Sequence, residues 1–236
     1  MGDNIWRDEW EWPLARTRYC KYYFHSDGHA NSLKGNGTLN TVPPDVEEPP
    51  DHFTYDPANP VPTLGGNGCC FPEITTMGPF DHQSIEQRQD VLVYTTEPLK
   101  QDLEVTGPVT ARLFIATSAK DSDFTVKLVD VYPNGKAMNV CDGIVAARYR
   151  KSFEKSLLLT PNRVYELGVD MWFTSQVFKV GHRLRVEVSS SNFPHFARNL
   201  NTGKLSGTSK EILQAHQTVY HDSSRPSYTC LPIIPR

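Results

Sequence analysis

Three serines and a histidine stand close together at Ser189, Ser190, Ser191 and His195, with Asn192 among them. A hydroxyl beside an imidazole is the minimum for nucleophilic catalysis, but the base must be oriented by a third group, and His195 has no obvious partner. Ser, Asn and Pro after a strand end are also what a turn uses to satisfy its backbone groups, and that reading is preferred. His25-Ser26-Asp27-Gly28-His29 has the look of a loose metal clip, yet small polar residues in a loop are more often solvated surface. Asp121-Ser122-Asp123 offers carboxylates to calcium. No third acidic residue follows at the required step and no bidentate Glu closes the loop, which favours a turn. The vicinal pair Cys69-Cys70 has neither zinc-site nor redox CxxC spacing. The nucleophile elbow G-x-S-x-G is missing, since Gly203-Lys204-Leu205-Ser206-Gly207 carries its serine one place late. HExxH, the Walker phosphate loop and GxGxxG are missing too. Residue chemistry alone therefore predicts a β domain without a self-contained catalytic site, metal or cofactor.

The elements that would position these residues are mostly strands. Leu184, Val186 and Val188 alternate with Arg183, Arg185 and Glu187, a period of two that gives one buried and one wet face. Phe124, Val126 and Leu128 alternate in the same way with Thr125 and Lys127, so a second wet face is expected there. Further strands are predicted at 19–24, 37–39, 91–94, 103–105, 109–117, 124–132, 143–149, 164–171, 183–189, 218–220 and 229–234. Pro133-Asn134-Gly135 should close a hairpin. Seven prolines between 41 and 63 make a long surface crossing, with Phe53 and Tyr55 pairing at an edge. One short helix is expected from Ser209 to Ala215. Strands spaced by roughly 10–20 residues without interleaved helices exclude a βαβ sheet and indicate an antiparallel β-sandwich of jelly-roll type.

The 236 residues suffice for a substantial core. A net charge of -3 gives no case for nucleic acid or an anionic membrane surface, and no apolar run approaches the roughly 20 residues that span a bilayer. No signal peptide is recognised in the acidic, aromatic first residues. Five cysteines, an odd number, read as reduced thiols in a cytoplasmic protein. Trp6, Trp10 and Trp12 fall within seven residues, too many to bury in so short a segment, which implies a partner or another part of a longer chain. Trp172, in the run Val169-Asp170-Met171-Trp172-Phe173, is expected to be buried. If it is exposed, it or Tyr149 could stack on a sugar ring in a free-standing carbohydrate- or ligand-binding module.

Several strings together resemble the cocaine esterase-like, X-Pro dipeptidyl-peptidase (CocE/NonD) group of serine hydrolases. They are MGDNIWRDEWEWP, DPANPVPTLGGNGCC, RQDVLVYTTEPLKQDLEVTGPV, DFTVKLVDVYPNG, DGIVAARYR, GHRLRVEVSSSNFPHFARNLNTG and QTVYHDSSRPS. Members of that group resemble one another in having an α/β-hydrolase domain, a helical cap and a C-terminal jelly roll (galactose-binding-like). The resemblance implies that this chain is the third part, with residues 1–18 a linker from an upstream hydrolase domain and residues 19–236 the jelly roll. The catalytic serine, acid and histidine would then lie upstream, and this chain would be inactive alone. It further implies that Trp6, Trp10 and Trp12 line the seam between the two domains. Cys70 and Phe71 match by position an apolar pair that walls the acyl pocket in ester-cleaving relatives, across a loop one residue longer here. Phe71 packing into the domain seam is the equal alternative. The partner so implied is the hydrolase domain of the same chain, and self-association is left open.

Overall fold

The structure, a computed structural model, describes residues 1–68, 73–205 and 207–235. Eleven strands appear among them: β1 (Arg18–His25), β2 (Thr38–Asn40), β3 (Asp51–Tyr55), β4 (Leu92–Thr95), β5 (Leu103–Thr117), β6 (Asp123–Val131), β7 (Ala137–Ala146), β8 (Tyr165–Phe178), β9 (Arg183–Ser189), β10 (Ala215–Tyr220) and β11 (Tyr228–Ile234). They are ordered β3-β10-β5-β11-β1-β2-β4-β9-β6-β7, with β8 on the other side of β5. Every ladder is antiparallel except the single bridge from Thr38 of β2 to Thr95 of β4. That bridge is the thin link between one layer built on β5 and another built on β9 and β6. Phe24, Leu113, Phe124, Val126, Leu167, Met171, Val186 and Val188 meet between the layers, giving a nearly all-β, antiparallel sandwich.

β5 is the spine. It pairs with β8 from Leu103 to Ile115, and on its other edge with β11 and then β10. The two expected strands at 103–105 and 109–117 are thus one, carried through Gly107-Pro108. Pro108 cannot donate to a ladder, and it sits where the register shifts against both β8 and β11. The hairpin between β6 and β7 turns at Pro133-Asn134-Gly135 as expected, with Gly135 at φ 89°. β3 pairs with β10 at the start of the strand order, which places Phe53 and Tyr55 on an edge strand, both buried.

Two expectations fail. Residues 209–214 are not helical, and one 3-10 turn at Ala147–Tyr149 is the only helical element among the described residues. Six or seven residues cannot offset the cost of nucleating a helix, and here Leu213 donates instead to the Leu200 carbonyl. The second failure concerns the two wet faces. All nine residues of β6 are buried, as are six of the seven in β9. Val61, Leu64, Ile85, Val91 and Val93 form a separate small core, and residues 61–64 and 82–91 lie against the polar face of β9, through the Val61 N–H to Ser191, His82 to Glu187 and Glu86 to Arg185.

Candidate docking face and loop neck

Charges trapped under that crossing are paired. His82 Nδ1 lies 3.0 Å from Glu187 Oε1, and Nε2 lies 2.7 Å from the Leu64 carbonyl. An imidazole facing an acceptor at each nitrogen is held as the imidazolium. Burial opposes the charge, but Glu187 outweighs it and raises the His82 pKa. Arg185 donates to Glu86 Oε2 at 2.6 Å and to Thr95 Oγ1 at 2.8 Å. Burial, with Glu187 nearby, pushes the Glu86 carboxyl up to about 7. Lys127 donates to Asn192, which donates to Asp142.

Ser189, Ser190 and Ser191 are buried as well. Ser189 pairs with Thr125, Ser190 accepts from Gln217, and Ser191 Oγ accepts the Val61 N–H at 2.8 Å. None of their bonds reaches His195, whose N–H goes to Thr63 Oγ1. The three hydroxyls are engaged in bonds that tie this loop to β6, β10 and Val61.

A serine–histidine–carboxylate chain does occur elsewhere, where the sequence pointed only to solvated surface. Ser26 Oγ lies 3.1 Å from His221 Nε2, and His221 Nδ1 lies 2.9 Å from Glu48 Oε2. Ser26 and His221 are 195 positions apart, so no local spacing could have revealed it. It is not a nucleophile and base. Ser26 donates to Asp51, and Asp51 also sits 3.0 Å from His221 Nε2, so both imidazole nitrogens face carboxylates and no lone pair is free. Burial opposes the charge on His221, but Asp51 and then Glu48 raise its pKa. With Tyr94 donating to Asp51 at 2.7 Å, the group is a buried tie between β1, β3, β4 and β10. Among the described residues, no three His, Cys, Asp or Glu side chains gather as metal ligands.

The outer face of β5 and β8 is the reverse of this interior. Residues 1–14 cross it as an ordered arm. Val177 donates to the Met1 carbonyl, Arg7 pairs with Glu104 at 2.5 Å, and Lys179 holds both Asp3 and Asp102. Gly2 is what lets the arm lie flat: its φ is +79°, and a Cβ there would stand 2.2 Å from the Val177 carbonyl oxygen. Yet the indoles on this fastened arm are bare. Trp6 and Trp10 are 99% and 104% exposed, with Ile5 and Trp12 also exposed. Trp12 meets the Phe173 ring edge-on at 5.8 Å. Trp172, expected to be buried, is exposed, so that all four tryptophans of the chain stand in solvent.

Beside Trp172 and Phe173 a cleft of about 70 Å³ is shared with Gly66 and Asn67. Those two residues belong to a loop closed at its neck by paired backbone bonds, Gly66 N–H to Gly78 O at 2.8 Å and Gly78 N–H to Gly66 O at 2.9 Å. His82, through Leu64, and Thr76, through the Gly65 N–H, brace the same neck. Cys70 and Phe71, singled out from the sequence, lie outside the described residues.

One more cavity, of about 380 Å³, is lined by Asp121, Asp123, Arg148, Tyr149, Arg198 and Asn199. Asp121 stands in the connection between β5 and β6. It is buried and bound by Arg148 and Asn199, and its Oδ1 has no partner among the described residues.

Comparison with known proteins gives a consistent picture. Residues 1–229 match the family model of the X-Pro dipeptidyl-peptidase C-terminal non-catalytic domain. The chain is 46% identical over 243 residues to the cocaine esterase of Rhodococcus sp. (strain MB1 Bresler), covering 100% of this chain and 41% of that protein. Among solved structures, an aminopeptidase from a marine sediment Thaumarchaeota archaeon superposes with a TM-score of 0.86 at 30% identity, over 99% of this chain and 39% of that one. An α-amino acid ester hydrolase does so equally, with a TM-score of 0.86 at 30% identity, over 98% of this chain and 40% of its own. The chain thus spans about two fifths of the length of these relatives.

Proposed function

The chain belongs to the X-Pro dipeptidyl-peptidase C-terminal non-catalytic domain family, and from that premise we propose that its work is to dock on, and complete, a serine hydrolase domain of the acyl- or peptidyl-cleaving kind. The observation that carries this is the arm. It is ion-paired to β5 and β8, yet leaves Trp6 and Trp10 wholly uncovered. Ordered indoles with nothing over them are the mark of a surface meant for burial. In this reading residues 1–18 are the linker from the hydrolase domain and residues 19–236 a jelly roll. Trp6, Trp10 and Trp12 line the seam. Cys70 and Phe71 contribute to one wall of the substrate pocket, on a loop whose neck is braced by His82. The free thiols Cys20, Cys141 and Cys230 support a cytoplasmic setting.

The test is a chimera in which this chain replaces the matched 41% of the Rhodococcus cocaine esterase. It should hydrolyse a p-nitrophenyl ester and unfold in one transition, while this chain alone shows no turnover. An inactive chimera with two independent transitions would count against docking. Turnover by this chain alone that vanished in Ser191→Ala would overturn the non-catalytic assignment.

A second reading, a carbohydrate- or ligand-binding module, is favoured by the cavity at Asp121, Asp123 and Arg148, with Tyr149 on its rim. Burial pushes the Asp123 carboxyl up to about 7, leaving it able to donate as well as accept near neutral pH. A glycan array without hits would set that reading aside.

A further inference from the structure

We infer that Trp172 is the residue on which the hydrolase domain is registered against the neck of the Gly66–Gly78 loop, a positioning role that rests on the docking reading above. The backbone at Trp172 is the first ground. Its φ is +64°, a left-handed conformation that a bulky side chain rarely adopts without a reason elsewhere. Pro108 pairs with Phe173 and Thr110 with Asp170, so Met171 and Trp172 together oppose Val109 alone. This is a β-bulge, locked by the Trp172 N–H donating to the Asp170 carboxylate at 2.9 Å.

What the bulge does to the side chains is the second ground. Along β8, Leu167, Val169 and Met171 point inward and Glu166, Gly168 and Asp170 outward. Strict alternation would send Phe173 back into the core. The extra residue breaks the alternation, so that Trp172 and Phe173 both face solvent, 58% and 57% exposed, before Thr174 turns inward again. The chain therefore holds a strained conformation whose visible outcome is two adjacent aromatic rings in water.

Their surroundings say what should cover them. On one side Phe173 touches Trp12 of the arm, and on the other Trp172 and Phe173 share a cleft with Gly66 and Asn67. The pair thus joins the aromatic arm to the loop neck in one continuous strip. The family is a C-terminal one, so the additional length of its relatives enters at the N-terminal end. Here that end lies on β8, where Met1 is bonded to Ser175 and Val177. A hydrolase domain joined there is delivered to this strip.

The chimera described above tests the inference. Trp172→Ala and Trp172→Gly should raise KM for the p-nitrophenyl ester at least fivefold, with a smaller change in kcat, and Trp172→Phe should restore it to within twofold. In the isolated chain, Trp172→Gly should not lower the melting temperature, because glycine takes this backbone conformation freely. A purely structural tryptophan would show the opposite, a destabilised domain and an unchanged KM. If neither Trp172→Ala nor Trp172→Gly moves KM while Trp6→Ser and Trp10→Ser do, Trp172 is not the registering residue and docking still stands. If none of the four moves KM or the single unfolding transition, the docking reading fails with it.

Discussion

Beneath the crossing chain, charges are inside; on the arm and the bulge of β8, indoles are outside. The first inversion is self-contained. His82 and Glu187, and Arg185 and Glu86, were each taken out of water together, and each has its counter-charge within the chain. The second is not. Among the described residues nothing covers Trp6 or Trp10, and Trp172 is left more than half exposed, although the backbone beneath them is tied down. A buried ion pair is weak evidence for stability as such, but removing one partner is costly because the other stays buried alone. An uncovered indole costs the isolated domain little and gains only when something arrives. The two regions should therefore respond to substitution in opposite ways.

The largest effect belongs to the interior. His82→Ala leaves Glu187 buried without its main counter-charge and should destabilise the domain by about 3–5 kcal/mol. That is on the order of 10 °C in Tm for a domain of this size, read by calorimetry. A change below 1 kcal/mol would mean that the crossing chain lifts and lets water in.

Next comes Gly2→Val. A Cβ at Gly2 would stand 2.2 Å from the Val177 oxygen, at a φ of +79° that valine resists. The arm should peel from β8, exposing amides at Val177 to rapid hydrogen exchange, at a cost of about 1–3 kcal/mol. Unchanged exchange there would show that the arm is not held as described.

The pH dependence is of similar or smaller size and has a definite sign. His82 and His221 have folded pKa values raised above the unfolded value near 6.5. Their contribution is complete below that pH and is lost as pH rises through the folded values. Glu86 and Asp123, each at about 7 when folded, add to the fall from roughly pH 4 up to 7, since the folded state holds protons that the unfolded state has released. Melting should therefore occur several degrees lower at pH 8.5 than at pH 6. A rise over that interval would contradict the assignment of charged imidazoles.

Smallest is the effect of Trp6→Ser or Trp10→Ser on stability, within about 0.5 kcal/mol, as for any surface change. Binding of a hydrophobic dye by the isolated chain should nevertheless fall sharply. A well-behaved monomer that binds no dye before substitution would remove the contrast between the two regions.

How much of this could be read from the residues divides along the same line. Alternation along 183–189 identified which side chains of β9 share a face, and the Pro-Asn-Gly turn located the β6–β7 hairpin. Period two does not say what lies over the second face, so Arg185 and Glu187 were expected to be wet. Their partners, Glu86 and His82, come from a polar stretch about a hundred positions earlier with no period of its own. The Ser26–His221 tie was hidden for the same reason. The bulge at Trp172 was hidden differently: it depends on one residue too many against Val109, a count set by the partner strand, and the run Val-Asp-Met-Trp-Phe alone suggests burial. The three tryptophans of the arm were conspicuous because their number exceeded what so short a segment can bury.

The central claim, that the aromatic strip is a docking face, is tested most directly by hydroxyl-radical footprinting with mass spectrometry on the isolated chain and on the chimera. Oxidation of Trp6, Trp10, Trp12 and Trp172 should be extensive in the isolated chain and fall several-fold in the chimera, with the exposed Phe153, which belongs to neither the arm nor β8, unchanged. Equal oxidation of the four tryptophans in an active, singly unfolding chimera would contradict it.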